Sequence, residues 1–380
     1  MSDYLTENKE RNKKGEFDKT DVLSVSGDYG IVNQIELLGR SFAGASVLPY
    51  HVVRHGNIVY TKSPLKEYPY GIVKANTGVD GIVSTLYAVY NIKNNVDAQF
   101  IEYYFSLANR TNRYFKPIVR IGAKHDMKIG NQEVLANKVT FPNLEEQTKI
   151  ASLFRFLDER IATQNKIIDK LQSLIKGLND SLYAQYGDKV LTSFAELGTS
   201  YSGLSGKSAQ DFGSGKPFIT YLNVYSNNVI NENDFQYVAI KNGEKQNIVE
   251  YGDVLFTLSS EIPEEVGIGS VYLGKEKVYL NSFFFGIHIT NMEVAFPPYL
   301  SYYVSSTAFR KFIYPYAQGS TRFNLCKADF EKASIKLPTL ENQKRILSIL
   351  SHIDSKIETE IQMLNLYNSQ KQYLLRQMFI

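Results

Sequence analysis

Two stretches of the sequence decide the fold: VTFPNLEEQTKIASLFRFLDERIATQ at residues 139–164 and IKLPTLENQKRILSILSHIDSKIETE at residues 335–360. They align without a gap at an offset of 196 residues. Identical residues recur at Pro142/Pro338, Leu144/Leu340, Glu145/Glu341, Gln147/Gln343, Ile150/Ile346, Ser152/Ser348, Asp158/Asp354, Ile161/Ile357 and Thr163/Thr359. A repeat of this kind is the sequence signature of a duplicated architecture.

The regions before these stretches carry the same repeat. GNIVYTKSPLKEYPYG from Gly56 matches GDVLFTLSSEIPEEVG from Gly252 in both glycines and in Thr61/Thr257. The chain is therefore predicted to contain two homologous domains, each followed by a long helix. The predicted segments are 1–141 and 187–337 for the domains, and 142–186 and 338–380 for the helices.

Each repeated stretch begins as a helix is expected to begin, with Pro ahead of the first turn and carboxylates near its positive end. Apolar residues then recur at heptad spacing in the first helix, at Phe154, Ile161, Ile168, Ile175 and Leu182, with Ile150, Leu157, Leu171 and Leu178 beside them. Such a stripe can bury against any apolar neighbour, but two matched helices in one chain favour mutual pairing.

Antiparallel pairing of the two helices would place the domains around a pseudo-two-fold axis. Gln164 and Glu360 occupy the same repeat position near the middle of their helices, whereas Lys371 and Glu360 interrupt the second apolar stripe. We predict that Gln164 and Glu360 are hydrogen-bonded at that axis and fix the register of the coiled coil.

The domains themselves contain short apolar or alternating runs that predict strands, such as VLSVSGDYGIV, HGNIVYT, STLYAVYNI, KPFITYLNV, DVLFTLS and FFFGIHI. Each domain also contains a helical stretch, around residues 100–109 and 298–309. The predicted fold class is therefore α+β, with a curved sheet in each domain and the two long helices paired as an antiparallel coiled coil.

This organisation resembles the specificity subunits of Type I restriction-modification systems over essentially the whole chain. The most specific parts are PNLEEQTKIASLFRFLDERI and PTLENQKRILSILSHIDSKI. YAQGSTRFNLCKADFEKASIKLP from Tyr316 resembles the usual close of a target recognition domain. The first domain ends less typically, with Lys124 and His125 near the position at which the second has Arg322.

The resemblance implies that each domain reads one half of a bipartite double-stranded DNA site, with the half-sites about one helical turn apart. It implies that the helices set the gap and dock two methyltransferase subunits, and it allows restriction subunits to join the complex. This chain would then be non-catalytic and hold no cofactor, while S-adenosylmethionine, ATP and Mg would be bound by the partners.

Two other functions are alternatives to DNA recognition. A coiled-coil scaffold that displays two protein-interaction domains, without binding DNA, is the main alternative. A free-standing enzyme is disfavoured, because YSGLSGKS at residues 201–208 has Tyr201 where a phosphate-binding loop needs glycine. FPPY at residues 296–299 lacks the polar residue of an amino-methyltransferase motif, so it is better read as the start of a helix.

Composition limits the class of protein. Hydrophobic residues make up 43% and charged residues 21% of the chain, which is typical of a folded domain protein. We expect no membrane span and no secretory signal, and a cytoplasmic location. The single Cys326 excludes an internal disulfide, and five scattered histidines favour no metal site. A net charge of +3 is compatible with a polyanionic partner.

DNA binding requires Lys and Arg for phosphates and a few donors for base edges. The candidates in the first domain are Lys13, Lys14, Lys62, Lys66, Arg110, Arg113, Arg120 and Lys124. Those in the second domain are Lys207, Lys216, Arg310, Lys311 and Arg322. Any one of them can equally be an ordinary solvated charge. Arg322, beside Gly319, Ser320 and Thr321, is the strongest single candidate.

Overall fold

The computed structural model describes residues 1–65, 67–121, 127–186 and 189–379. The chain forms two compact units: unit 1 is Met1–Asn165 with Gln362–Ile380, and unit 2 is Lys166–Ile361. Each unit therefore holds one mixed domain and one half of each long helix. The boundaries between the compact units therefore fall within both predicted helical segments. One half of each helix packs in unit 1 and the other half packs in unit 2.

The helices and strands of the first half follow the predicted order. The strands are β1 Leu5–Glu7, β2 Leu23–Ser26, β3 Gly30–Asn33, β4 His51–Val53, β5 Ile58–Tyr60, β6 Val73–Ala75, β7 Gly81–Val83, β8 Ala88–Ile92, β9 Arg120–Ile121 and β10 Met127–Lys128. The helices are α1 Gln34–Leu38, α2 Ala98–Tyr104, α3 Ala108–Phe115 and the long α4 Leu144–Gln185.

The second half repeats this arrangement. Its strands are β11 Lys189–Thr192, β12 Gly198–Ser202, β13 Phe212–Ile219, β14 Gln236–Val238, β15 Val254–Thr257, β16 Ser259–Ser260, β17 Gly269–Val271, β18 Tyr279–Leu280, β19 Phe284–Ile289, β20 Ala317–Gln318, β21 Phe323–Leu325 and β22 Ile335–Pro338. Its helices are α5 Phe194–Leu197, α6 Tyr221–Ser226, α7 Pro297–Tyr303, α8 Thr307–Ile313, α9 Lys327–Lys332 and the long α10 Leu340–Met378.

The main sheet has the same topology in both units. Its strand order is β1-β8-β5-β6 in unit 1 and β12-β19-β15-β17 in unit 2, with antiparallel neighbours. The repeated threonines occupy equivalent places, because Thr61 Oγ1 accepts a hydrogen bond from Ile72 N and Thr257 Oγ1 accepts one from Ile268 N, at 3.1 and 3.0 Å. The predicted α+β duplication is confirmed.

Three details of the predicted secondary structure are wrong. The stretch around residues 298–309 forms two short helices, because Ser306 adopts an extended backbone and its hydroxyl caps α8. Residues 100–109 are also interrupted, at Leu107, whose backbone is extended and whose side chain forms no capping hydrogen bond. The run KPFITYLNV stops being a strand at Ile219, where the Thr220 hydroxyl caps α6 instead.

Within unit 1 the two long helices run antiparallel. The rings of Phe154 and Phe379 stack at 5.8 Å, and the Arg160 guanidinium lies 4.8 Å from the Tyr367 ring centre. As the residue number rises along α4, the number of its partner on α10 falls. Lys371, which interrupts the apolar stripe in sequence, forms an ion pair with Asp158 there.

The repeated glutamines fasten each helix start to its domain. Gln147 and Gln343 are fully buried. Gln343 Oε1 accepts from Phe296 N at 2.8 Å, and its Nε2 donates to the carbonyls of Val294 and Pro338, at 2.7 and 2.8 Å. Gln147 makes the equivalent bonds in unit 1, at 2.8–3.1 Å. Each amide thus satisfies three backbone groups that burial would otherwise leave unpaired.

The repeated aspartates supply a second fastening. Tyr103 OH donates to Asp158 Oδ2 at 2.9 Å in unit 1, and Tyr302 OH donates to Asp354 Oδ2 in unit 2. Burial raises the pKa of the Asp354 carboxyl, partly opposed by the Tyr302 hydroxyl. Each domain is therefore tied to its long helices by the residues that the repeat conserves between halves.

Gln164 and Glu360 are both buried, as their places in the apolar stripes require. Glu360 also pairs with Lys356, one turn earlier on α10. The predicted bond between Gln164 and Glu360 stays a prediction.

Candidate nucleic-acid interface

A β-hairpin presents Arg322 at the surface of unit 2. Strands β20 and β21 pair antiparallel, and the loop between them is Gly319–Arg322. Gly319 has φ +145°, and a Cβ there would lie 2.1 Å from the Arg322 carbonyl oxygen. Only glycine fits this turn, so the sequence GSTR folds the loop tightly and leaves the Arg322 side chain exposed.

Polar groups surround the Arg322 guanidinium. Its Nε donates to Ser259 Oγ at 3.2 Å, and Ser259 lies on β16, which pairs with β21. Burial raises the pKa of Tyr221, and the Arg322 charge partly opposes this effect. One hydrogen bond at 3.2 Å leaves the other guanidinium donors of Arg322 available to a ligand. Ser259 could not be identified from the sequence, because only the pairing of β16 with β21 brings it to the hairpin.

Several other candidates have exposed side chains. They lie on a loop in unit 1 (Lys13, Lys14), on α3 (Arg113), on β9 (Arg120), on β13 (Lys216) and on α8 (Lys311). Exposure is compatible with phosphate contact and equally with solvation. Lys66 and Lys124 lie outside the described residues, so the prediction for them is unchanged.

Two candidates in unit 2 are engaged inside the protein. The Lys207 side chain is only 6% exposed, and its ammonium donates to Glu244 and to the Ala239 carbonyl at 2.6 Å. The Arg310 guanidinium donates to the carbonyls of Glu264, Val266 and Gly267, at 2.6–2.8 Å. Their geometry assigns both side chains a loop-holding role, which sequence alone cannot distinguish from phosphate binding.

The residues of the run YSGLSGKS, which resembles a phosphate-binding loop, make contacts within unit 2. The hydrogen bond from Lys207 lowers the pKa of Glu244 to about 2, so Glu244 is ionised and accepts from the Lys207 ammonium. Tyr201 is a buried strand residue of β12 that donates to Asp253 at 2.6 Å. The run therefore connects β12 to its neighbours and does not cradle a phosphate.

Lys62 is held in unit 1 by its ammonium, which donates to Asn131 Oδ1. Asn131 in turn donates to Glu7 Oε1 at 2.8 Å. Burial lowers the pKa of Lys62. Its backbone is in the left-handed region, at φ +49°, which is a strained conformation for lysine. The network fixes the first residues of the loop TKSPLK.

Arg110 and Arg113 are brought together on α3. They line one cavity of about 430 Å³ with Arg376 and Gln372 of α10. The Arg110 guanidinium lies between aromatic rings, 5.0 Å from the centre of Tyr104 and 5.4 Å from that of Phe379. Burial, with the neighbouring Arg113, lowers the pKa of Arg110. In the sequence alone, Arg376 cannot be distinguished from an ordinary surface charge of a helix.

The same sheet position carries different chemistry in the two units. In unit 2 the buried Asp253 accepts from Tyr201 and contacts His288 Nδ1 at 2.9 Å. In unit 1 the corresponding contacts join neutral amides: Asn8 donates to Asn57, and Asn57 donates to Asn91. A polar contact at this position therefore ties the sheet together in both units.

Within the part of the chain that the structure describes, no group of three or more His, Cys, Asp or Glu side chains is arranged to hold a metal ion. None of the described helices is long and apolar enough to cross a membrane.

Comparison with known proteins gives a consistent result. The family model described as Type I restriction modification DNA specificity domain matches residues 196–366. A protein of Methanocaldococcus jannaschii described as a type I restriction enzyme MjaX specificity subunit is 26% identical over 295 residues, which is 70% of this chain. That match spans 63% of the relative's own length.

Solved structures share the fold over nearly the whole chain. A chain from a study of complex assembly and conformational transition of the type I R-M system has a TM-score of 0.59 at 15% identity, covering 99% of this chain and 95% of that one. A Type-I restriction-modification system S subunit from M. genitalium has a TM-score of 0.53 at 12% identity, covering 99% and 94%. At these identities the likeness establishes the fold.

Proposed function

We propose that this chain, which belongs to the family of Type I restriction-modification specificity subunits, selects a two-part DNA sequence on behalf of partner subunits. As a specificity subunit it is non-catalytic. The segments 1–141 and 187–337 serve as target recognition domains, and 142–186 and 338–380 as the helices that set the gap. The family assignment favours this role over the scaffold.

One observation carries the proposal: the two units share their internal fastenings but differ at their surfaces. Gln147 and Gln343 make equivalent buried bonds, so each domain is anchored to the helices in the same way. The exposed chemistry is not repeated, since Arg322 of unit 2 aligns with the region of Lys124 in unit 1. Two domains that are anchored in the same way but expose different side chains suit the recognition of two different half-sites.

Arg322 is the residue that we assign to base recognition in the second half-site. A guanidinium presented at a tight exposed loop can make two parallel bonds to guanine O6 and N7 in the major groove. Ser259 orients the guanidinium from one side. The exposed side chains of Lys216 and Lys311 in this unit, and of Lys13, Lys14 and Arg120 in unit 1, contribute phosphate contacts.

Equivalent apolar side chains on the two long helices suit two copies of one partner. Leu153 on α4 and Ile349 on α10 lie 196 residues apart in the repeat, and each is 39% exposed. Phe156, one turn beyond Leu153, is 59% exposed. We assign these surfaces to two methyltransferase subunits, which supply S-adenosylmethionine and its chemistry. Restriction subunits, with ATP and Mg, would join that complex.

Methylation sequencing tests the recognition role. DNA from cells that express this chain with its neighbouring methyltransferase subunit should carry a new split motif with a fixed gap. The variant Arg322→Ala should relax or weaken one half of that motif, by about 1–3 kcal/mol, and leave the other half unchanged. Arg345→Ala, which removes an exposed arginine paired with Glu341 on α10, is the matched control.

Loss at both halves with Arg322→Ala, or at neither, would contradict the assignment of Arg322. Absence of any new motif, together with DNA binding that does not weaken as salt is raised, would contradict the proposed function itself.

Co-purification tests the docking surfaces. Leu153→Glu and Ile349→Glu should each reduce the number of bound methyltransferase subunits from two to one, and the double variant should bind none. Leu191→Glu is the control, because Leu191 is 64% exposed but lies on β11. Retention of two subunits by the double variant would show that they dock elsewhere.

A further inference from the structure

The cavity beside α3 in unit 1 has an unusual concentration of positive charge. Arg110, Arg113 and Arg376 all line it, and Glu67 is the acidic residue among its lining side chains. Helix α3 begins at this cavity, with Leu107 at its N-cap making no side-chain hydrogen bond. The first backbone N–H groups of a helix carry positive partial charge, which adds to that of the three guanidinium groups.

The duplicated half of the chain shows what occupies the equivalent place in unit 2. There Asp180 accepts hydrogen bonds from the backbone N of Thr307, at 2.9 Å, and from its hydroxyl, at 2.5 Å. Thr307 is the first residue of α8, as Ala108 is of α3. At the repeat offset of 196 residues, the counterpart of Asp180 is Arg376.

Aromatic contacts support this correspondence. Tyr183 packs on Tyr303 at 5.8 Å in unit 2, and Phe379 packs on Tyr104 at 6.1 Å in unit 1. Tyr183 and Phe379 are again 196 residues apart. The repeat thus replaces a carboxylate with a guanidinium at the start of the equivalent helix.

We propose that the cavity formed by Arg110, Arg113 and Arg376 in unit 1 is a binding site for a phosphate group. In unit 2 one carboxylate of the chain satisfies the helix start, while Arg310 is directed to backbone carbonyls on another loop. In unit 1 three arginines line one cavity, and this charge matches a phosphate better than a single carboxylate. Arg110 also donates to the Tyr104 carbonyl, at 3.4 Å. Arginine binds phosphate oxygens in a bidentate manner.

The surroundings of Arg110 favour such a ligand. Its side chain is positioned between the Tyr104 and Phe379 rings, so little freedom is lost when an anion binds. The half-buried guanidinium is less well solvated than a free one, and an anion in the cavity would compensate for this. The site reads no bases, and where the phosphate belongs to the DNA backbone the inference rests on the proposed function.

Titration calorimetry with inorganic phosphate, on the full chain at low ionic strength, tests the proposal. Wild type should bind phosphate, and Arg376→Asp should weaken that binding by about tenfold or more, because it rebuilds the unit 2 arrangement with an internal carboxylate. The same variant should raise the melting temperature of the chain in phosphate-free buffer. Arg155→Asp, an equal charge change at an exposed position of α4, should retain binding.

Two further arms complete the experiment. Arg113→Ala, at an exposed position, should also weaken phosphate binding. This variant keeps the test usable if Arg376→Asp does not fold. Competition by random-sequence duplex DNA would identify the source of the phosphate as the DNA backbone, and lack of competition would identify a free anion. No phosphate binding by wild type, or equal loss with Arg155→Asp, would overturn the proposal. The proposal would also be overturned if wild type bound no phosphate and Arg376→Asp lost methyltransferase binding. That result would assign the cavity to a carboxylate of the partner subunit.

Discussion

Replacing Gln343 by Leu should strongly destabilise unit 2, because this fully buried side chain is bonded to three backbone groups. Leucine has a comparable size but no polar atoms, so Phe296 N–H and the carbonyls of Val294 and Pro338 would lose a partner away from water. Each buried group left unpaired costs about 1–3 kcal/mol. At the lower end of this range the loss is about 3 kcal/mol, a large fraction of the stability of an ordinary domain.

Gln147→Leu is the matched perturbation in unit 1, since Gln147 makes the same three bonds at 2.8–3.1 Å. Denaturant unfolding followed by hydrogen–deuterium exchange separates the units, because each peptide reports on its own unit. Protection should fall around α7 for Gln343→Leu and around α2 for Gln147→Leu. The exposed Gln172→Leu on α4 should change stability by less than about 0.5 kcal/mol.

A loss below about 1 kcal/mol for Gln343→Leu would refute the reasoning, because it would mean that water or a rearranged side chain satisfies all three groups. Equal loss of protection in both units would also count against it, since the bonds of Gln343 all lie within unit 2.

Three further outcomes are expected. Burial raises the pKa of Asp253, so its stabilising contribution is present at low pH and is lost as the pH rises through its folded pKa. Asp253→Asn, which reproduces Asn57 of unit 1, removes this titration. The free energy of unfolding of the variant should therefore fall less than that of wild type as the pH rises above about 4. Steeper loss in the variant, measured by urea unfolding, would contradict this. Lys371→Met should cost less than about 1 kcal/mol, because Asp158 is 38% exposed, and salt should reduce the cost; a larger, salt-independent loss would point to packing instead. Finally, the logarithm of the affinity for the DNA target should fall linearly with the logarithm of salt concentration, and a flat response in filter binding would argue against phosphate contacts.

The architecture could be predicted from the sequence because the repeated residues have the same structural role in both halves. Pro142 and Pro338 mark the starts of the long helices, and the heptad spacing predicted their pairing. The antiparallel sense followed from the duplication and is seen in the contact of Phe154 with Phe379. The short helices were less predictable, because a single capping hydroxyl, such as that of Ser306, decides where one stops and the next begins.

The candidate interface was only partly predictable. Sequence can identify a lysine or arginine, but it does not show whether the charge faces solvent or a partner within the chain. Lys207 and Arg310 were selected for the same reasons as Arg322, yet the first two are held by internal acceptors. Arg376 was not selected at all, and its position beside Arg110 depends on how α10 packs in unit 1.

The sequence by itself determined the duplication and the long helices, since these depend on periodic patterns and local start signals that recur along the chain. Only the tertiary structure decided which cations are exposed, and that the place held by Asp180 in unit 2 is taken by Arg376 in unit 1. The physical reason is that exposure and charge environment arise from side chains far apart in sequence. A local sequence pattern does not show which distant residues become neighbours. Comparing the two repeats shows this only once the folded structure of both is known.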